Sequence, residues 1–90
     1  MGNIIISYKI FPKEIISDFS KLQKKIEGCL PGTVSIYGFD EEPVAFGLKV
    51  LITNLKFPEE KSGLLDEIEQ RIRELKEVSQ IQTIMVRRIR

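Results

Sequence analysis

The chain has 90 residues, with 14 Lys and Arg against 13 Asp and Glu, a single Cys and no His, for a net charge of +1. A chain of this length forms one small core that buries roughly 60 to 65 per cent of its unfolded surface, which leaves little room for a deep catalytic cleft. Near-neutral charge excludes a chain-wide field for nucleic acid or lipid, the lone Cys29 excludes an internal disulfide, and the absence of His removes the commonest metal ligand and acid-base group.

The first predicted element is a strand over residues 3–11, NIIISYKIF, with Ile4, Ile6, Tyr8 and Ile10 on a buried face and Ile5, Ser7 and Lys9 on the other. Pro12 closes it. From Glu14 the apolar residues Ile15, Ile16, Phe19, Leu22 and Ile26 recur at helical intervals opposite Asp18, Lys21, Lys24 and Lys25, which predicts an amphipathic helix stopped by Gly28 and the Pro31-Gly32 turn. TVSIYGFD alternates again, with Val34 and Ile36 on one side, and predicts a second strand ending near Asp40.

EEPVAFGLK, residues 41–49, reads as a connecting loop with an unusual composition: two acids and a Pro suit a turn, yet Val44, Ala45, Phe46 and Leu48 are apolar. LKVLITNL, residues 48–55, predicts a third strand with Leu48, Val50 and Ile52 on one face and Lys49, Leu51 and Thr53 on the other. After the charged loop KFPEEKSG, a second helix is predicted from Leu64 or Leu65 to near Glu77. Its stripe is Leu65, Ile68, Ile72 and Leu75; its acids come early and Arg71, Arg73 and Lys76 late, as the helix dipole favours. The final SQIQTIMVRRIR is strand-like, but its alternation slips near Ile84, which predicts a bulge or a strand straightening out of the sheet.

Strand, helix, strand, strand, helix, strand is the order of an α+β, ferredoxin-like two-layer sandwich: a four-stranded antiparallel sheet with both helices on one face, over a single domain spanning 1–90. The uncovered sheet face is expected to carry Lys9, Tyr37, Lys49, Thr53 and Leu51. Cys29 reads as a small core residue after the first helix.

Most chemical constellations are missing. No Ser-His-Asp or Cys-His set and no metal spacing can be assembled, so covalent catalysis, a metal and a cofactor are not expected. Glu41-Glu42 and Glu59-Glu60 read as solvated loop charges rather than an opposed pair. Gly38 and Gly47 lie too far apart for a phosphate cradle, so direct nucleotide binding is not expected. The fold is shared with RNA-recognition domains, whose third strand carries stacking aromatics; LKVLITNL has none, although Tyr8 and Tyr37 or the basic tail could engage RNA. No apolar run reaches the length of a membrane span and the start lacks a signal-peptide pattern, so a cytoplasmic protein without membrane association is expected.

Specific stretches break the tie. MGNIIISYKIFP, LPG before a strand, YGFDEEPVAFGLKVL and VRRIR together resemble the archaeal elongation factor 1-beta family over essentially the whole chain. EEPVAFGLK is the most specific of these stretches. The resemblance implies a ferredoxin-like fold and a guanine-nucleotide exchange factor whose partner is GDP-bound elongation factor 1-alpha. Departures exist: GLLD stands where the family usually has Gly-Gly-Thr-Asp, which shifts the helix cap to Ser62 or Asp66, and Phe11 stands where Met is commoner.

The resemblance also implies site residues. Pro43, Phe46, Gly47 and Lys49 are expected to dock the partner, with Phe46 as an apolar anchor. Arg87, Arg88, Ile89 and Arg90 are expected to work near the partner's magnesium site, with Arg88 the foremost candidate. Two alternatives stand beside this reading: an RNA-binding module using the open sheet face and basic C-terminus, and a regulatory domain that dimerises by its sheet edges.

Overall fold

β-branched and aromatic alternation at both ends of the chain builds the two strands that pair with each other. The computed structural model describes residues 2–16, 18–59 and 63–89. Its elements are β1 (Asn3–Pro12), α1 (Ser20–Cys29), β2 (Ser35–Ala45), β3 (Leu48–Pro58), α2 (Leu64–Arg73) and β4 (Val78–Ile89). All pairings are antiparallel and the sheet order is β2-β3-β1-β4. This is the predicted ferredoxin-like α+β arrangement.

The core lies between the helices and one sheet face. Ile6, Tyr8 and Ile10 of β1 and Leu51, Leu55 and Phe57 of β3 meet Leu22 and Ile26 of α1 and Leu64, Ile68 and Ile72 of α2, with Phe19, Val34 and Val78 completing the cluster. Cys29 packs at its margin, and burial pushes its thiol pKa up. Each fully buried aliphatic side chain contributes about 1.5–3 kcal/mol. Tyr8 is wholly buried, yet its hydroxyl donates to Glu69 Oε2 at 3.1 Å; burial, then the Glu69 carboxylate, raises its pKa far above that of an ordinary phenol.

Several boundaries and one face differ from the sequence expectation. Leu51 and Thr53 do not lie on the open face: both are wholly buried on the helix side, cross-strand from Ile10 and Tyr8. The open face of β3 carries Val50, Ile52, Asn54 and Lys56 instead, and Lys49 shares the parity of Leu51. Helix α1 begins at Ser20, not Glu14, because Asp18 accepts hydrogen bonds from the Ser20 N–H at 2.9 Å and hydroxyl at 2.6 Å, which holds the Asp18 pKa below the usual range. Ile15 is left exposed. Gly28 sits inside the last turn; the helix stops because Leu30, the residue before Pro31, is driven to extended backbone.

Strand β2 does not end near Asp40 but continues to Ala45, so Glu41 and Glu42 are strand residues and EEPVAFGLK is the tip of a β-hairpin rather than a loop. Gly38 is likewise within the strand, where a register shift leaves Tyr37 as the extra residue. Lys56, Phe57 and Pro58, expected in a charged loop, extend β3. Helix α2 ends at Arg73, with Asp66 and Glu67 in its first turn and Arg71 and Arg73 in its last. Gly63, in left-handed backbone, occupies its N-cap position without a side-chain cap; Ser62, the other expected cap, lies outside the described residues. The slip at Ile84 is a register shift between the pairs Ser7–Met85 and Tyr8–Thr83.

Candidate functional site

The hairpin joining β2 to β3 has a two-residue turn. Ala45 pairs with Leu48, and the two residues between them, Phe46 and Gly47, have φ of 50° and 79°. Positive φ at both central positions is the type I′ turn that suits strand twist, and it favours Asn, Asp or Gly. Gly47 meets that demand freely, with open space where a Cβ would be. Phe46 does not: it is the one described non-glycine residue with positive φ, a conformation that costs an L-residue about 1–2 kcal/mol. Its side chain is 101% exposed, so no intramolecular packing offsets that cost.

The surrounding tip is equally unburied. A register shift between Pro43 and Ala45 makes Val44 an extra residue, and it too is exposed. Pro43 lies opposite Lys49 on β2, an edge strand, the place in a sheet where proline is found. Lys49 Nζ is 3.7 Å from Glu41 on one face, and Lys9 Nζ is 3.1 Å from Glu42 on the other, so the two acids read as free loop charges from sequence are each partnered. Pro43, Phe46, Gly47 and Lys49 are thus brought together at one protruding tip. Val44 was not singled out from sequence; its apolar character beside Phe46 was the available signal.

The arginines lie elsewhere. Because β1 pairs with both β3 and β4, Asn3 lies beside Pro58 and Ile89, while Ile10 lies beside Leu51. Arg87, Arg88 and Ile89 are therefore at the opposite end of the sheet from Phe46, about 30 Å away at strand rise. Arg90 lies outside the described residues. Arg87 and Arg88 are split between faces: Arg87 pairs with Ile5 on the open face, and Arg88 with Ile4 on the helix face. Arg88 Nε donates to Glu59 Oε2 at 2.8 Å. Glu59 is fixed in turn by its N–H, which donates to the Gly2 carbonyl at 3.2 Å. A Cβ at Gly2 would sit 2.9 Å from the Ile89 carbonyl oxygen and 3.2 Å from Glu59 Oε1, so the absence of a side chain there permits this close approach. Sequence reading set Glu59 aside as a solvated charge.

Neither end resembles a catalytic pocket. A shallow cleft of about 230 Å³ is lined by Lys13, Glu14, Ile16, Lys76 and Glu77, away from both. There Lys25 pairs with Glu77 and keeps its carboxyl below the usual range. The described residues contain no cluster of three or more Cys, Asp or Glu able to hold a metal ion, and no helix long and apolar enough to cross a membrane.

An exposed aromatic side chain thus stands at one end of the sheet and two arginines at the other. The family model of the EF-1 guanine nucleotide exchange domain matches residues 5–89. The chain belongs to this family. The EF-1 exchange-domain assignment is supported over full length by archaeal relatives. The elongation factor 1-beta of Staphylothermus marinus is 36% identical over 89 residues, covering 99% of both chains. That of Methanosarcina barkeri is 34% identical over 90 residues, 99% of this chain and 100% of its own, and that of Desulfurococcus amylolyticus is 32% identical over 89 residues.

Proposed function

We propose that this protein is a guanine-nucleotide exchange factor of translation elongation, which binds GDP-bound elongation factor 1-alpha and promotes GDP release so that GTP rebinds. Family membership supports the exchange role and its partner. The observation that carries the docking part is Phe46: an aromatic side chain held in left-handed backbone, wholly in solvent, has no role in this fold and the character of an interface anchor. Pro43, Gly47 and Lys49 frame it, with Lys49 able to exchange Glu41 for an acidic group on the partner.

The physical basis of exchange is differential binding. A GTPase holds GDP through phosphate contacts and magnesium, and a factor that binds better to the form with weakened contacts loosens the nucleotide. Linkage makes the effect reciprocal, so GTP displaces the factor and the cycle turns over. A cation from Arg88, with Arg87, Ile89 and Arg90 as its neighbours in sequence, opposes magnesium electrostatically. The side chains themselves need form no covalent bond.

The test is release of a fluorescent GDP analogue from archaeal elongation factor 1-alpha, with excess unlabelled nucleotide and substoichiometric factor. Accelerated release with turnover is the expected result. Phe46→Ala is expected to lower exchange efficiency by about 30-fold, the size of a hot-spot loss near 2 kcal/mol, with an unchanged circular dichroism spectrum. An unaltered release rate with a folded cognate pair overturns the reading.

A further inference from the structure

The open sheet face divides electrostatically. On the half toward the hairpin tip, Lys9 is neutralised by Glu42, and Asp40 lies one strand from Ile52. On the other half, one cross-strand row reads Ser35, Lys56, Ile5, Arg87 from β2 to β4. The neighbouring rows contain Asn3, Pro58 and Ile89 on one side and Ser7, Asn54 and Met85 on the other, with no carboxylate among them. Of the strand cations, Lys9, Lys49 and Arg88 each have an ion-pair partner among the described residues, whereas Lys56 and Arg87 have none. These two flank Ile5 at two strand spacings, about 10 Å apart.

Ile5 adds a second observation. It is 2% exposed on a face that no helix covers. Its row neighbours are the two side chains with long aliphatic stems, and stems of that kind shield an apolar residue while their charged heads stay in water. The register thus sets the two cations on either side of Ile5. The hydroxyl of Ser7 donates to Asn54 Oδ1 beside it, so the adjacent polar row is internally satisfied. Glu59, the nearest acid on β3's end, is occupied by Arg88 on the other face.

We infer that Lys56 and Arg87, with Ile5 between them, form a docking surface for an acidic strip of the partner GTPase, presenting carboxylates at strand spacing. The inference rests on the proposed exchange function and extends it to a sheet face that neither the tip nor Arg88 uses. Charge complementarity dictates the occupant: two cations with no ion-pair partner among the described residues, in a row without acids, favour carboxylates, and the surface continues directly into the end of β4. Arg87 acts here as a docking cation, and Lys56 enters the interface as a residue that sequence reading left in a loop.

The test measures fluorescent GDP release against concentration of the full-length factor. Lys56→Gln and Arg87→Gln are each expected to raise the half-saturating concentration about 3- to 5-fold and to flatten its salt dependence, and Lys56→Gln, which touches no residue of the exchange site, leaves the plateau rate intact. Lys56→Arg should retain wild-type half-saturation. Lys24→Gln, an equal loss of charge on exposed α1, should do the same. Wild-type half-saturation in both Gln variants, or an equal loss in Lys24→Gln, overturns the surface while leaving the exchange function standing. Failure of the unsubstituted protein to accelerate release overturns both. A fluorescent oligouridine that binds the wild type and is lost in both Gln variants, with exchange unaltered, reassigns the row to RNA.

Discussion

Phe46 sets a local conflict between folding and contact. Its turn position favours Asn, which tolerates left-handed backbone, so Phe46→Asn is expected to stabilise the protein by ~1 kcal/mol, a rise in Tm of ~4–8 °C, while weakening exchange as Phe46→Ala does. Thermal melts beside release assays check both signs. Tyr8 presents a different conflict, a hydroxyl carried into the core. Its pKa is raised on folding, so its contribution is fully present below the unfolded value near 10 and is lost as pH rises toward the folded value, because the unfolded chain ionises first. Stability should therefore fall above about pH 10. Tyr8→Phe should shallow that fall and cost ~1 kcal/mol at neutral pH through loss of the Glu69 bond, as measured by denaturant titration at several pH values.

At the level of elements, β3 shows where sequence was legible and where it was not. Element order and the break in alternation at Ile84 follow from periodicity alone. The facing of β3 does not, because Leu48, Val50, Leu51 and Ile52 place apolar residues on both sides. The deciding residues are Asn54, Leu55, Lys56 and Phe57, and a strand cut short at 55 omits half of them. The same misfacing hid Thr53, whose buried hydroxyl has no hydrogen-bond partner among the described residues. Thr53→Val, nearly isosteric, is accordingly expected to raise stability by ~1–2 kcal/mol in denaturant titration. The start of α1 departs from the periodicity for another reason: Ile15 and Ile16 extend the helical pattern, but local bonding between Asp18 and Ser20 wins at the boundary.

Across the whole molecule, the candidate residues were readable one by one, through resemblance, but their separation was not. Only strand pairing places Phe46 and the arginines at opposite ends of a body 43 Å long and 21 Å by 18 Å across. Sites so far apart, sharing no contact, should act independently: the losses from Phe46→Ala and Arg87→Gln should multiply in the double variant, within a factor of about two. Glu59 and Lys56 escaped notice because their partners, Arg88 and the Ile5 row, are remote in sequence. Strand β3 runs unbroken from the turn to Lys56, so it works as a gauge whose length decides which surfaces the factor can span at once. Lengthening β2 and β3 by two residues each would preserve every facing and the tip's chemistry, yet move the anchor by about 7 Å. If both ends dock as proposed, such a variant is expected to fold and to engage the GTPase at either end but not at both, so that selection of the partner passes from chemistry to length.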